Sequence, residues 1–575
     1  MIVDLNESRS GTLPLYDLCI IGSGPAGATL AAELADAERS ICVLESGLGN
    51  STRHADSLRD VASEGIHIKE YSRERVLGGA STTWAGLSSP LDRTDLEPRP
   101  WLPHSGWPIT EAELTPYYAQ AAERYRFPPA TLFGTDGFGA LRDREGLRAD
   151  RQPASWEAVH EKIFLACSDP QNFGREQRAI YGGTAIDLYL DATVLRLEPG
   201  SGTKSIDCAR VRTRDGHEHT LRARVFVLAT GGIENARLLL NSTDLCPQGL
   251  GNERDQVGRF FMNHPKNYHG ILHLAQPRGD VPYYFGCLYK GYAGYAGLCL
   301  KPEVQADAQL LNSYVRLEPL FPWSDSQGVE ALVLIVKRCS FFFKRWKDKR
   351  KDEVVTLRDY SETGDDSDLQ NQRKSVGKWI GLLFTILFDI RKVGTYALYR
   401  LSRKKPKIRR VRLRNFMEME PVPQNRVTLT TERDPYGTPI ACVRHECTPA
   451  DERSMKALHE HLAREFEAQG IGRLETSLQD VKPWPITQDA SHHMGSTRMG
   501  SDPSSSVVTP QGRLHTVDNV FAAGASVFPT SGSANPTFTI VALSIRLAEH
   551  LKRDVLPNLP NRPDARDNAA APGQA

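Results

Sequence analysis

Leu15-Tyr16-Asp17-Leu18-Cys19-Ile20-Ile21-Gly22-Ser23-Gly24-Pro25-Ala26-Gly27, followed by an alanine-rich run and then by Ser40-Ile41-Cys42-Val43-Leu44-Glu45, is the stretch on which the fold turns. Leu15 to Ile21 is a short apolar run bounded by Gly22 and reads as a buried strand. Pro25 to Leu34 reads as a helix of small residues, and Ser40 to Leu44 as the next strand, so the segment is a β-α-β unit. Gly22-x-Gly24-x-x-Gly27 in that setting is a dinucleotide grip. The first glycine permits the tight turn, the second admits a pyrophosphate close to the backbone, and the third packs helix on strand. The helix that begins at Pro25 and Ala26 presents its N–H end to phosphate. Glu45 closes the second strand at the spacing of a carboxylate that accepts hydrogen bonds from the adenosine ribose. The pattern alone does not separate NAD from FAD.

Two later segments repeat the strand-turn-helix form. Arg224 to Ala229 reads as a strand, Thr230-Gly231-Gly232 as a turn and Ile233 to Leu240 as a helix. Asn519 to Ala523 reads as a strand, Gly524 as a turn and Thr537 to Leu551 as an amphipathic helix. The economical reading is an α/β, Rossmann-like domain with a parallel sheet, interrupted in sequence by a second, α+β domain. The expected boundaries are 15–94, 186–264 and 496–556 for the nucleotide domain, and 95–185 and 265–495 for the substrate domain. The latter should hold a mostly antiparallel sheet, with strand-like runs at Tyr289 to Leu300, Ala331 to Val336 and Arg426 to Thr431.

The chain's 575 residues allow a large core and more than one domain. A net charge of +1 gives no overall pull toward nucleic acid or membrane. The ten cysteines form no C-x-x-C pair, which argues against a zinc ribbon or dithiol centre and for reduced thiols in a cytoplasmic setting. Met1 to Pro14 lacks a secretory core, so the structured chain is expected to start at Tyr16. Residues 557–575 read as a disordered tail. Residues 340–412 depart from the rest: Lys344 to Lys351 and Arg403 to Arg412 are basic, Glu362 to Gln372 is acidic, and Val376 to Leu401 is apolar but broken by Asp389, Arg391 and Lys392. The apolar part is too short to span a bilayer. It reads either as a surface insertion packed on its own domain or as an interfacial helix touching anionic lipid or a partner. The basic clusters lack an RNA-binding motif, so no nucleic-acid role is expected.

Two features favour FAD over NAD. One is Val76-Leu77-Gly78-Gly79-Ala80-Ser81-Thr82-Thr83-Trp84-Ala85-Gly86, whose glycines let backbone approach a flat ring or a pyrophosphate. The other is the second glycine turn at Thr230-Gly231-Gly232. Near the C-terminus stands His492-His493-Met494-Gly495-Ser496-Thr497-Arg498-Met499-Gly500. Neighbours in an extended segment point to opposite faces, so only one of the two histidines is expected to reach the cofactor. Asn535-Pro536-Thr537 opens the last helix. Pro536 suits the first turn, and a plain helix cap is the alternative reading of Asn535.

Taken with Gly258-Arg259-Phe260-Phe261-Met262-Asn263-His264, these motifs resemble the glucose–methanol–choline (GMC) flavoprotein oxidoreductases over most of the chain, and most closely the pyranose oxidase and sugar dehydrogenase branch. The resemblance implies FAD, with His492, Gly495 and Ser496 on the family's His-x-x-Gly-(Ser/Thr) motif and Asn535 at its second catalytic position. It places Val194 near the adenine. The cofactor set then comprises Gly22, Gly24, Pro25, Ala26, Gly27, Glu45, Ser46, Gly78, Gly79, Ser81, Thr82, Thr83, Trp84, Val194, Thr230, Gly231, Gly524, Ala525, Asn535, Pro536 and Thr537, with no metal. Pyranose oxidases carry, in the run matching Gly78 to Gly86, a histidine bonded to the flavin. Thr83 stands there in this sequence, which implies non-covalent FAD.

The chemistry expected is oxidation of an alcohol on a sugar or glycoside. His492 takes the hydroxyl proton, a hydride passes to flavin N5, and Asn535 holds the oxygen. Asn263, His264 and His493 are left without roles, and the electron acceptor (oxygen, a quinone or a protein) stays open. The alternatives are a non-sugar alcohol such as a sterol, polyol or biosynthetic intermediate, and a redox-inert flavin-binding protein docked on a membrane through 376–412.

Overall fold

The computed structural model describes residues 1–69, 72–134, 156–167, 169–182, 186–200, 204–278, 287–289, 292–339, 376–402, 407–478, 481–486 and 491–560. Its centre is a nine-stranded sheet. Tyr16–Ile21 lies between Ile41–Leu44 and Glu218–Leu228 and pairs in parallel with both. Ile186–Leu190 follows beyond Ile41–Leu44, and Val520–Ala522 lies along the far side of Glu218–Leu228, both also in parallel. Every residue of Tyr16–Ile21 is buried. Cys19 and Ile21 enter the core on one face, Leu18 and Ile20 the core on the other, as a central parallel strand requires. The first half of Glu218–Leu228 continues into an antiparallel ribbon with Ile206–Arg212 and Thr193–Pro199.

The chain is ordered well before Tyr16. Ile2–Asp4 adds a parallel edge strand to Ile186–Leu190, and Leu5 is fully buried. Ile2 and Val3 are too few to register as a strand in sequence, and they gain their partners from a segment far along the chain. At the other end, Leu556–Asn558 forms a turn of 3-10 helix. Residues 561–575 of the expected tail lie outside the described residues.

The second layer is an eight-stranded sheet whose pairings are all antiparallel. Ile408–Phe416 lies at its middle, with Val411 and Leu413 fully buried. Arg412 and Arg414 pair instead with Glu318. Residues 408–412, grouped by composition with the basic insertion, are therefore the first half of a core strand. Arg426–Arg433 is a strand as expected, but it belongs to a separate three-stranded sheet with Pro439–Arg444 and Val61–Glu64.

Ala331 to Val336 is not a strand. It lies within the helix Gln327–Cys339. A short run rich in aliphatic residues fits either form, and here tertiary packing decides. Val329, Leu332 and Val333, at helical spacing, meet Trp323, Ile386, Val393, Tyr396 and Tyr399. Ile386 comes from Val376–Phe388, and Val393, Tyr396 and Tyr399 from Ile390–Ser402, two helices separated at Asp389. Lys344 to Lys351 and Glu362 to Gln372 lie outside the described residues. Cys19, Cys42, Cys167, Cys208, Cys246, Cys299, Cys442 and Cys447 are all free thiols.

Candidate active site

Gly22 follows the central strand where its two parallel neighbours depart on opposite sides, the position at which open α/β sheets bind ligands. Its N–H donates to Leu44 O at 2.8 Å. A side chain is excluded there, because a Cβ would stand 2.6 Å from Ala229 O. Gly27 is tighter still: its Cβ would lie 1.9 Å from Gly22 O. The helix Pro25–Glu33 starts with Pro25 in its first turn, with Gly24 as a cap that offers no side chain, and with no acid nearby in that turn.

The other glycine turns converge on this one. Gly78 N–H donates to Ser23 Oγ at 3.1 Å. A Cβ on Gly79 would lie 3.1 Å from Gly24 Cα, and one on Gly524 would lie 3.8 Å from Ala26 Cβ. Thr230 is fixed by Asn235, whose Oδ1 accepts from its N–H and hydroxyl.

Several expected contacts are engaged within the protein. Glu45 Oε2 accepts from Ser23 N–H at 3.1 Å and Ser23 Oγ at 2.6 Å, while Oε1 accepts from Gly47 N–H at 2.8 Å. It thus braces the glycine turn, with Ser46 Oγ beside it at 3.5 Å. Burial raises the Glu45 carboxyl above its usual range, against the lowering effect of these hydrogen bonds. Ser81 bonds Gly78 O and Phe173 N–H, Thr82 bonds Gly79 O, Thr83 bonds Ala80 O, and Trp84 Nε1 donates to Gln171 O. Val194 is half-buried on Thr193–Pro199, in register with Val211.

The surroundings suit an anionic dinucleotide. A Cβ on Gly24 or on Gly231 would meet nothing within 4 Å, so open space lies against both turns. Ser533 Oγ is buried without a partner. Bare backbone with open space before it and a helix first turn without an acidic residue are the features a pyrophosphate needs.

The C-terminal motif reaches this cradle through a short antiparallel bridge between Met262 and Met494, whose backbones exchange hydrogen bonds of 3.0 and 2.9 Å. Gly495 N–H donates to Ala525 O, tying the loop to the turn at Gly524. The bridge sets Asn263-His264 beside Ser491-His492. Asn263 Oδ1 accepts from the backbone N–H of His264 at 2.8 Å and of His492 at 3.2 Å. His493 faces away, its ring stacked on Phe261 and its carbonyl against Gly232.

His264 Nε2 lies 2.9 Å from Gly532 O, its Nδ1 lies 2.8 Å from His492 Nδ1, and His492 Nε2 lies 3.5 Å from Asn535 Nδ2. A proton assignment follows from donor and acceptor chemistry. Burial pushes His264 down to about 4, so the ring is neutral near pH 7. A carbonyl only accepts, so His264 carries its hydrogen on Nε2 and has a lone pair on Nδ1. His492 must then donate from Nδ1, and in a neutral His492 ring the lone pair stands on Nε2, toward Asn535. Asn535 occupies the cap position of Pro536–His550 but makes no side-chain cap bond, and Pro536 and Thr537 fill the first turn. The sequence offers Asn263 and His264 without a role; what joins them to His492 is the Met262–Met494 pairing, which no local pattern announces.

A parallel sheet with a glycine grip at its switch point, beside two hydrogen-bonded imidazoles and an amide, is the arrangement of an oxidoreductase that works through a dinucleotide cofactor. Residues 421–544 match the family model of the GMC oxidoreductases. The chain is 30% identical to paromamine 6'-oxidase of Streptomyces fradiae and 25% identical to 6'''-hydroxyparomomycin C oxidase of Streptomyces lividus, each alignment covering 94% of this chain and 92% of the relative. The crystal structure of pyridoxine 4-oxidase from Mesorbium loti has the same fold, with a TM-score of 0.52, 14% identity and coverage of 93% of this chain and 99% of that one. The chain belongs to the GMC oxidoreductases, a family of FAD-binding enzymes that act on CH–OH groups.

Proposed function

We propose that this enzyme oxidises a hydroxyl of a sugar or glycoside to a carbonyl, with His492 as the base. The observation that carries the reading is the hydrogen-bond chain from Gly532 O through His264 to His492, which leaves the His492 Nε2 lone pair beside Asn535. His492 takes the alcohol proton at Nε2. Asn535 donates from Nδ2 to the same oxygen and so orients the C–H bond being broken. His264 is a positioning residue: it acts through the tautomer of His492. Bound FAD supplies the two-electron acceptor for the carbon-bound hydrogen. The substrate class follows from the two oxidases that align over nearly the whole chain.

The cofactor is assigned to Gly22 through Gly27, Glu45-Ser46, Gly78 through Trp84, Val194, Thr230-Gly231, Gly524-Ala525 and Asn535 through Thr537. The parallel-sheet body is its domain, and the antiparallel sheet covers the substrate. Attachment is non-covalent, because Thr83 offers no ring nitrogen and its hydroxyl is engaged with Ala80 O. Acid precipitation tests this: yellow colour should pass to the supernatant, and colour kept in the pellet overturns it. Anaerobic flavin bleaching with a panel of sugars, glycosides, sterols and polyols tests the substrate class. Bleaching by sugars or glycosides, abolished in His492→Ala with FAD retained, is the expected result. Unchanged bleaching in that variant refutes the mechanism, and bleaching by the non-sugar alcohols alone refutes the class.

A further inference from the structure

Ten large hydrophobic side chains are exposed among the described residues, and seven of them lie between Leu383 and Leu401. Leu383, Phe384, Leu387 and Phe388 recur at the three- and four-residue spacing of one helix face, on Val376–Phe388. Ile390, Leu398 and Leu401 carry exposed apolar surface onto the following helix, Ile390–Ser402. Phe388 is 89% exposed and Leu401 82%, values far from chance for such residues. The inward side of the pair is already covered, since Val393, Ile386, Tyr396 and Tyr399 pack with Trp323 and Val329.

Charge identifies what the outward side fits. Arg391, Lys392 and Arg400 are exposed on the second helix, and Lys407, Arg409 and Arg410 are exposed close behind it. Asp389 is the one acid between 376 and 402, and it is taken up by the Ser326 hydroxyl and Lys392. Bulky apolar side chains beside cations match the boundary between anionic headgroups and acyl chains. A second copy of this chain would fit poorly, because a two-fold contact sets the whole cation-bearing patch against an identical patch, positive against positive. Each helix has 13 residues, and no helix among the described residues is long and apolar enough to cross a membrane.

We propose that Val376–Ser402 lies on an anionic lipid surface, with Leu383, Phe384, Leu387 and Phe388 entering the headgroup boundary and Arg391 and Arg400 bound to lipid phosphates. The proposal is independent of the alcohol chemistry. Its test is sedimentation of the full-length, FAD-loaded protein with vesicles of phosphatidylcholine, with or without phosphatidylglycerol. The wild type should sediment with the anionic vesicles, and added salt should release it. Half-saturation should need about tenfold more lipid for the neutral vesicles, for Phe384→Ser/Phe388→Ser and for Arg391→Gln/Arg400→Gln. Flavin content and substrate-driven bleaching should be unchanged in both variants, which confirms folding. Three outcomes overturn the proposal: no sedimentation by the wild type, equal sedimentation with neutral and anionic vesicles, or equal sedimentation by wild type and variants. Light scattering that shows a dimer dissolved by Phe384→Ser/Phe388→Ser, in protein that ignores vesicles, assigns the face to self-association instead.

Discussion

Replacing His264 isolates the tautomer argument from the base itself. In His264→Leu the ring that accepts from His492 Nδ1 is gone, so that N–H loses this acceptor in a half-buried setting beside the buried position 264. Leaving a buried polar group unpaired costs about 1–3 kcal/mol. If that cost falls on the arrangement that presents Nε2 to substrate, the flavin reduction rate should fall by roughly 5- to 150-fold. His264→Asn supplies a carbonyl oxygen near the position of Nδ1 and should recover most of the rate. The assay is anaerobic stopped-flow reduction at saturating substrate across a pH series, with the apparent substrate dissociation constant read from the same data. The expected pattern is a large fall in rate with little change in that constant for Leu, near-normal rate for Asn, and an altered pH profile only in Leu. A Leu variant that reduces at the wild-type rate with the wild-type pH profile would refute the reasoning.

Asn535→Ala should lower the reduction rate by about 100-fold, as loss of a donor to a developing oxyanion does. It should leave the melting temperature within about 2 °C, because the side chain makes no cap bond; the plain-cap reading requires the reverse. Gly24→Ala should fold but load FAD at least tenfold more weakly, roughly, since its Cβ points into open space at the helix start. Gly27→Ala, with a Cβ 1.9 Å from Gly22 O, should yield colourless or insoluble protein; normal flavin titration of either variant refutes the grip. Thermal stability should peak at about pH 4.5 and decline toward pH 7. Glu234 and Glu318 are held down to about 2 despite burial, by Arg75 and Arg316 foremost among their arginine neighbours, so their stabilisation is full above 4.5 and is lost as pH falls toward 2. His264, depressed to about 4, contributes in the same sense, present above 6.5 and lost below. Asp95 and Asp451 are raised to about 7 by burial, so their contribution is full below 3.8 and is lost as pH rises through 7. A melting temperature flat from pH 5 to 8 contradicts the last pair.

Local signals in the sequence were sufficient for the elements that carry their own punctuation. Tyr16–Ile21, Pro25–Glu33 and Ile41–Leu44 fall within a residue of the expected limits, since Gly22 and Pro25 mark the turn between the first two and polar Ser40 and Glu45 bracket the apolar third. Of the runs read as strands of the second sheet, Tyr292–Leu300 alone belongs to it and pairs antiparallel. Ile2–Asp4 was not, since two apolar residues form a strand only when a distant neighbour accepts them. Ala331 to Val336 misled because an aliphatic run is equally at home in a strand and in a helix whose packing partners lie elsewhere in the chain. At the site, the motifs located His492 and Asn535, while His264 acquires meaning only through a bridge to Met494, over two hundred residues away.

The central sheet also constrains how the protein is made. Val520–Ala522 covers the flank of Phe226 to Leu228, roughly 290 residues behind it in the chain. At about 5–20 residues per second, the ribosome needs some 15–60 s to deliver that covering strand. During this interval an apolar β-edge stands open in the nascent chain, where it can recruit another chain in place of its own C-terminus. Slow expression at low temperature prolongs the exposure, so soluble yield should depend more on chaperone supply than on the stability of the finished enzyme.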